Sequence, residues 1–161
     1  MLKLDAKARG FVERVGAIGR SLNAPPAAGR LLALLLLSEK PVSLDEACRL
    51  LGASKGPLST HARSLLAVGL VHRVKYPRDR RDYYEVAPGT FERQLSLRAA
   101  DLRAWREVAA SGLEVVETGD GLARARLEEM RQLCSFLAEQ MEATLETWRA
   151  RRRRSAADLR R

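Results

Sequence analysis

The amino-acid sequence predicts a mainly α-helical fold that carries one small β-hairpin and ends in a hairpin of two long helices. Three observations lead to it. Apolar residues recur at steps of three and four through most of the chain, only residues 71–87 alternate as strands do, and Gly, Pro and Asn punctuate the segments. At 161 residues, the chain has the length of one core with an appended element, and no room for a second catalytic domain.

Leu4, Ala8, Phe11, Val12, Val15 and Ile18 lie on one face of a first helix, which Asn23-Ala24-Pro25-Pro26 interrupts. Pro25 and Pro26 suit the first turn of a second helix, because the N–H groups they lack have no intrahelical partner there. That helix carries the Leu31–Leu37 run and is apolar nearly all round, so it belongs at the centre of the core. Ser43, followed three residues later by Glu46, forms a capping box that opens a third helix, Leu44 to Leu51. Gly52 closes it and Ser54 can cap the next, which runs to about Val68, so the third and fourth helices have helix-turn-helix spacing. Gly69 ends the fourth helix. Residues 70–76 and 83–86 then read as two strands around the turn-forming Pro77-Arg78-Asp79-Arg80-Arg81-Asp82, a wing spanning Val71 to Ala87. After Pro88-Gly89, one long helix is expected from Thr90 to about Glu117 and another from Leu122 to about Arg149, separated by Thr118-Gly119-Asp120-Gly121.

The organisation expected is therefore an N-terminal helix at 1–23 that packs with the C-terminal arm, a winged helix-turn-helix at 24–89, a helical arm at 90–150, and a frayed basic tail at 151–161. Formal charge divides along the same lines: +7 over residues 1–90, −4 over 91–148 and +6 over 149–161, within a total of +9. A basic reader beside an acidic arm suits a polyanionic partner for the first half only. The longest apolar run is far below the roughly 18 residues of a membrane span, and the first residues do not open a signal peptide, so a cytoplasmic protein without a membrane partner is expected. Cys48 and Cys134 then read as semi-buried thiols rather than a disulfide. No Cys-x-x-Cys, His-Glu-x-x-His or Gly-Lys-Ser/Thr loop occurs, which leaves no basis for an enzyme, a metal site or a cofactor.

A helix that enters the major groove needs small outward residues, donors that reach base edges and an N-terminus that accepts a phosphate. Ser54, Lys55, Gly56, Ser59, Thr60, His61, Arg63 and Ser64 meet these needs on the fourth helix. Arg73, Lys75, Arg78, Arg80 and Arg81 follow within nine residues, a cluster that can lay an arginine into the minor groove. Asp79 reads either as a turn former or as the bidentate partner of a neighbouring arginine. Tyr83 and Tyr84 are expected to pack on the sheet.

Leu35-Leu36-Leu37-Ser38, Pro41-Val42-Ser43-Leu44-Asp45-Glu46, Ser54-Lys55-Gly56-Pro57-Leu58-Ser59-Thr60, Gly69-Leu70-Val71 and Asp79-Arg80-Arg81-Asp82-Tyr83-Tyr84 resemble the GbsR-type members of the MarR-like transcriptional regulators. The similarity is densest over residues 24–87, and His61 and Ala62 depart from the commoner pattern. It implies a sequence-specific regulator, a repressor, that binds double-stranded DNA as a homodimer on a roughly palindromic site. It also implies that Lys55, Ser59, Thr60 and Arg63 face DNA and that Arg80 or Arg81 is the wing arginine.

The stripe Leu95, Leu102, Trp105, Leu133, Leu137, Met141, Leu145 and Trp148 on the two long helices would be exposed in a monomer and is expected to form the dimer interface. Trp105, Phe136, Met141 and Trp148 are also apolar enough to receive a small organic effector. Two other readings use the same scaffold: a winged-helix module that binds an acidic protein, and a thiol-based redox sensor.

Overall fold

A computed structural model of the chain describes residues 4–21, 24–116 and 121–158. Asn23, the Thr118-Gly119-Asp120 break and residues 159–161 of the basic tail lie outside the described residues. The chain divides into two compact units, Met1–Thr90 and Phe91–Arg161.

In the first unit, helices α1 (Ala6–Ser21), α2 (Pro26–Leu36), α3 (Leu44–Leu51) and α4 (Lys55–Ala67) surround one core, with strands β1 (Val42–Ser43), β2 (His72–Val74) and β3 (Tyr83–Glu85) along its edge. The Asp5 carboxylate accepts from the Ala8 N–H at 2.8 Å and so caps α1. Proline at the first position of α2 fits its sequence reading, and Leu31, Ala33, Leu34 and Leu35 bring that helix into the centre of the core. Within the first unit α1 lies against α2. Glycine is the reason. A Cβ built on Gly29 would stand 2.8 Å from the Val15 carbonyl oxygen and 2.9 Å from Gly16 Cα, so only glycine lets the two backbones meet there.

Ser43 caps α3 by accepting from the Glu46 N–H at 3.2 Å, one half of the expected capping box, while the Glu46 carboxylate lies 3.7 Å from Arg49. Gly52, at φ 62°, ends α3 in the left-handed region, and the Ala53 N–H reaches the Cys48 carbonyl at 3.0 Å to complete the cap. The sheet has three antiparallel strands in the order β1-β3-β2, one more than the sequence suggested. Val42 pairs with Tyr84, and Arg73 pairs with Tyr84 on the other side, so β3 is the central strand. The buried Tyr84 and Val42 fasten this sheet to the helical core.

The second unit consists of α5 (Thr90–Val115) and α6 (Gly121–Asp158), which run antiparallel. Their side chains meet in that sense along the hairpin: Gly112 leaves room for Leu127, Arg103 pairs with Glu142, and Glu92 pairs with Arg149 at 2.7 Å. Helix α6 continues nine residues beyond Arg149, through the arginine run that was expected to fray. Nothing in 150–158 interrupts a helix, since Ala and Arg are strong helix formers and neither Gly nor Pro occurs there. Among the described residues, no helix is long and apolar enough to cross a membrane.

Candidate nucleic-acid interface

Helix α4 turns Leu58, Ala62 and Leu65 into the core, leaving Lys55, Gly56, Thr60, Arg63 and Ser64 exposed and Ser59 and His61 half-buried. Ala62 is fully buried, so its small side chain belongs to core packing rather than to the outward face. Ser54 has the extended backbone of an N-cap, but its side chain makes no capping hydrogen bond, unlike Ser43 on α3. The Lys55 ammonium lies 2.7 Å from Asp45 and ties the start of α4 to α3. A phosphate reaching Lys55 would therefore share it with Asp45.

The exposed face of α4 is already ordered along its length. Thr60 Oγ1 donates to the Gly56 carbonyl at 3.4 Å and accepts from Arg63 Nη2 at 3.2 Å, while Ser64 Oγ donates to the Thr60 carbonyl at 3.1 Å. Each hydroxyl keeps acceptor capacity, and the remaining Arg63 donors are available to a base edge or a phosphate.

In the wing, Asp79 resolves to the bidentate alternative. Arg81 Nε and Nη2 donate to its carboxylate at 3.0 and 2.6 Å, the Arg81 backbone N–H adds a bond at 2.9 Å, and the Tyr83 hydroxyl donates to it at 2.9 Å. The Arg81 side-chain bonds first, then its backbone N–H and Tyr83, hold the Asp79 carboxyl far below the usual carboxylate range. The guanidinium also lies 5.3 Å from the Tyr83 ring centroid, and Tyr76 meets that ring edge-on at 4.9 Å. Asp82 performs a second neutralisation, with its carboxylate 2.5 Å from Lys75 and 3.8 Å from Arg73. The Lys75 hydrogen bond is the largest cause of its lowered pKa. Among the described residues Arg78 and Arg80 make no ion pair, and both are exposed. Arg78 sits at φ 65°, the one described non-glycine residue with positive φ.

On the helical arm, Trp105, Leu133, Leu137 and Trp148 are exposed as the sequence suggested, and Leu95, Leu102 and Met141 are half-buried. Leu145 is different: it is only 4% exposed in the single chain, alongside the buried Ala99 and Ala138, and so is enclosed rather than presented to a partner. Sequence reading missed Phe91, Leu97 and Leu122, all exposed. A helix with apolar residues on more than one side does not disclose which side faces inward. Cys48 and Cys134 are half-buried and unpaired, and burial, followed by the charge of Asp45, raises the Cys48 pKa away from that of a reactive thiolate.

Over 128 residues, covering 79% of this chain and 78% of the other, the sequence is 32% identical to the HTH-type transcriptional regulator MmpR5 of Mycobacterium tuberculosis. The chain belongs to the MmpR5-like MarR family of transcriptional regulators. The profile of MmpR5-like MarR family transcriptional regulators matches residues 89–151, the part of this MarR-family chain where the sequence resemblance was weakest. A second relative, the HTH-type transcriptional repressor OpcR of Bacillus subtilis, is 25% identical over 139 residues, 80% of this chain and 74% of that one. The fold is also that of a crystal structure of a transcriptional regulator, with a TM-score of 0.78 at 29% identity over 89% of this chain and 99% of that chain. As a MarR-family regulator this is a DNA-binding protein and not an enzyme, and α3 and α4 with the β2–β3 wing make up its winged helix-turn-helix.

Proposed function

We propose that this MarR-family regulator acts as a homodimeric repressor on a roughly palindromic double-stranded site, each protomer laying α4 in a major groove and its wing in the neighbouring minor groove. Residues 24–89 are the reader and residues 90–150 the dimerisation arm. The observation that carries the reading is the exposed face of α4, where Lys55, Gly56, Thr60, Arg63 and Ser64 are small, polar or cationic and already linked by hydrogen bonds. Beside it stands a wing whose Arg81 is fixed by Asp79, a preorganised cation of the kind that enters a narrow groove at little entropic cost.

Pairing of two copies is supported by the unpartnered apolar surface of α5 and α6, on which Trp105, Leu133, Leu137 and Trp148 stand exposed. Leu102, Trp105, Val108 and Met141 line an open cavity of about 500 Å3 on that surface, so a small organic effector bound there would alter how the copies meet. The finer family assignment, a GbsR-type member, rests on the residue similarities of 24–87 alone.

Gel retardation on fragments of the protein's own promoter region tests the reading. Arg63→Ala should weaken binding to the specific fragment by about 1–3 kcal/mol while leaving binding to unrelated duplex nearly intact. Arg80→Ala should lower the salt dependence of both with a smaller loss of preference. Equal losses on both fragments for both variants would remove α4 from the role of reader.

A further inference from the structure

The arginine run at the end of α6 is helical and exposed, and part of it lines an open cavity with α5. Steps of three and four put Arg149, Arg152 and Arg153 on one face of α6, where with Glu92 of α5 they line an open cavity of about 340 Å3. Arg149 Nε donates to Glu92 at 2.7 Å and Nη2 to Ser96 Oγ at 3.3 Å, while Arg152 Nη1 donates to the other Glu92 oxygen at 3.3 Å. The Glu92 side chain is only 19% exposed, and the Arg149 bond is the largest cause of its lowered pKa.

One carboxylate thus faces three guanidinium groups, and Arg153 makes none of the described ion pairs. Arg151 and Arg154 flank the same turns, so the end of α6 concentrates like charges that repel at these spacings. Glu92 fixes the orientation of two forks while leaving net positive charge in the cavity. Fixed guanidinium forks match the oxygens of a phosphate group.

We infer that Arg149, Arg152 and Arg153, oriented by Glu92, form a second anion site that takes a phosphate group, separate in sequence from the α4 reader. The same chemistry is offered by a free oxyanion and by the backbone of DNA, and the test separates the two. The free-oxyanion arm does not rest on the regulator reading; the DNA arm does.

The full-length protein is titrated with inorganic pyrophosphate in a thermal-shift assay at constant ionic strength, and with an unrelated short duplex over a range of salt concentrations. A free-oxyanion site gives a pyrophosphate-dependent rise in melting temperature beyond that of matched sodium chloride. Affinity then falls about tenfold or more in Arg149→Ser/Arg153→Ser. A DNA-backbone site gives no such rise, but the salt slope of duplex binding falls by about one to two in the double variant. Arg153→Ser alone, which breaks no described ion pair, must move the same readout in the same direction, so that a folding defect in the double variant cannot imitate the result. If neither readout changes in either variant, the site does not exist. Should Arg63→Ala still weaken specific binding in that case, the reader on α4 stands and only this inference falls.

Discussion

Gly56 lies in the first turn of α4, and nothing among the described residues requires a glycine there. A Cβ added to it meets no atom within 4 Å, and its φ is not among the positive values. Helical glycine costs roughly 0.5–1 kcal/mol relative to alanine. The substitution Gly56→Ala should therefore stabilise the free protein by up to about 1 kcal/mol, a rise of roughly 2–4 °C in Tm for a chain of this size. If α4 enters a major groove, the explanation for glycine lies outside the chain: close approach of DNA to a helix face that a methyl group would hold away. The variant should then bind its specific fragment about tenfold or more weakly, a loss of roughly 1.4 kcal/mol or more, with a raised Tm. Thermal unfolding and gel retardation on the same preparation give both numbers. A stabilised variant with unchanged affinity would refute the reasoning, because DNA would then not come close to the start of α4.

Arg78→Gly should likewise stabilise the protein, by about 1 kcal/mol, since Arg78 holds a left-handed φ of 65° at the third position of the Tyr76–Asp79 turn; a lowered midpoint in urea unfolding would contradict this. Gly29→Ala should do the opposite, by about 1–3 kcal/mol, because its methyl group would drive the backbones of α1 and α2 apart; unaltered thermal stability would mean that the helices separate freely. Glu128, held by Arg131 first and Gln132 second, has its pKa lowered to about 2. Because the folded value lies below the unfolded one, its stabilising contribution is present above about pH 4.5 and is lost as pH falls toward 2. Carboxyl NMR of Glu128 should show a midpoint near 2 that moves up in Arg131→Leu, and a midpoint near 4.5 in both proteins would exclude the pair.

The parts of the fold that were legible in the sequence are those fixed by a few neighbouring residues. Ser43 with Glu46, Gly52 and Gly69 each act within one turn, and they located α3, the tight turn and α4 to within a residue or so. Strand β1 was not legible, because Val42 and Ser43 are too few to show a period and become a strand only by pairing with Tyr84 and Tyr83. The partner of α1 was hidden for a similar reason: its apolar face announces burial, but the identity of the covering surface depends on glycines at 16 and 29 meeting across a tertiary contact. Leu145 shows the same limit on the arm, where spacing grouped it with Leu137 and Trp148 although it alone of the three is enclosed. In the candidate site, the residue types of α4 and the wing were readable; their partners were not. Nothing local distinguishes an aspartate that forms a turn from one that grips Arg81 with both oxygens.

That difference changes the electrostatic argument for DNA binding. The wing, residues 71–87, contains five cations against three acids, a net charge of +2. Two of the acids are committed: Asp82 to Lys75 and Arg73, and Asp79 to Arg81. Counting cations would assign the wing up to five phosphate contacts per protomer, each worth about 0.9 in the salt slope. The geometry supports fewer, because only Arg78 and Arg80 are without an ion pair among the described residues, and freeing the others means exchanging an aspartate for a phosphate. Arg81 is a special case. Its Nε and Nη2 are occupied by Asp79 while Nη1 makes none of the described hydrogen bonds, so it can present one donor edge without leaving its partner. A cation held in this way contributes orientation more than charge. If the wing meets DNA as proposed, Arg78 and Arg80 supply attraction that salt screens, and Arg81 supplies a fixed donor that salt affects less.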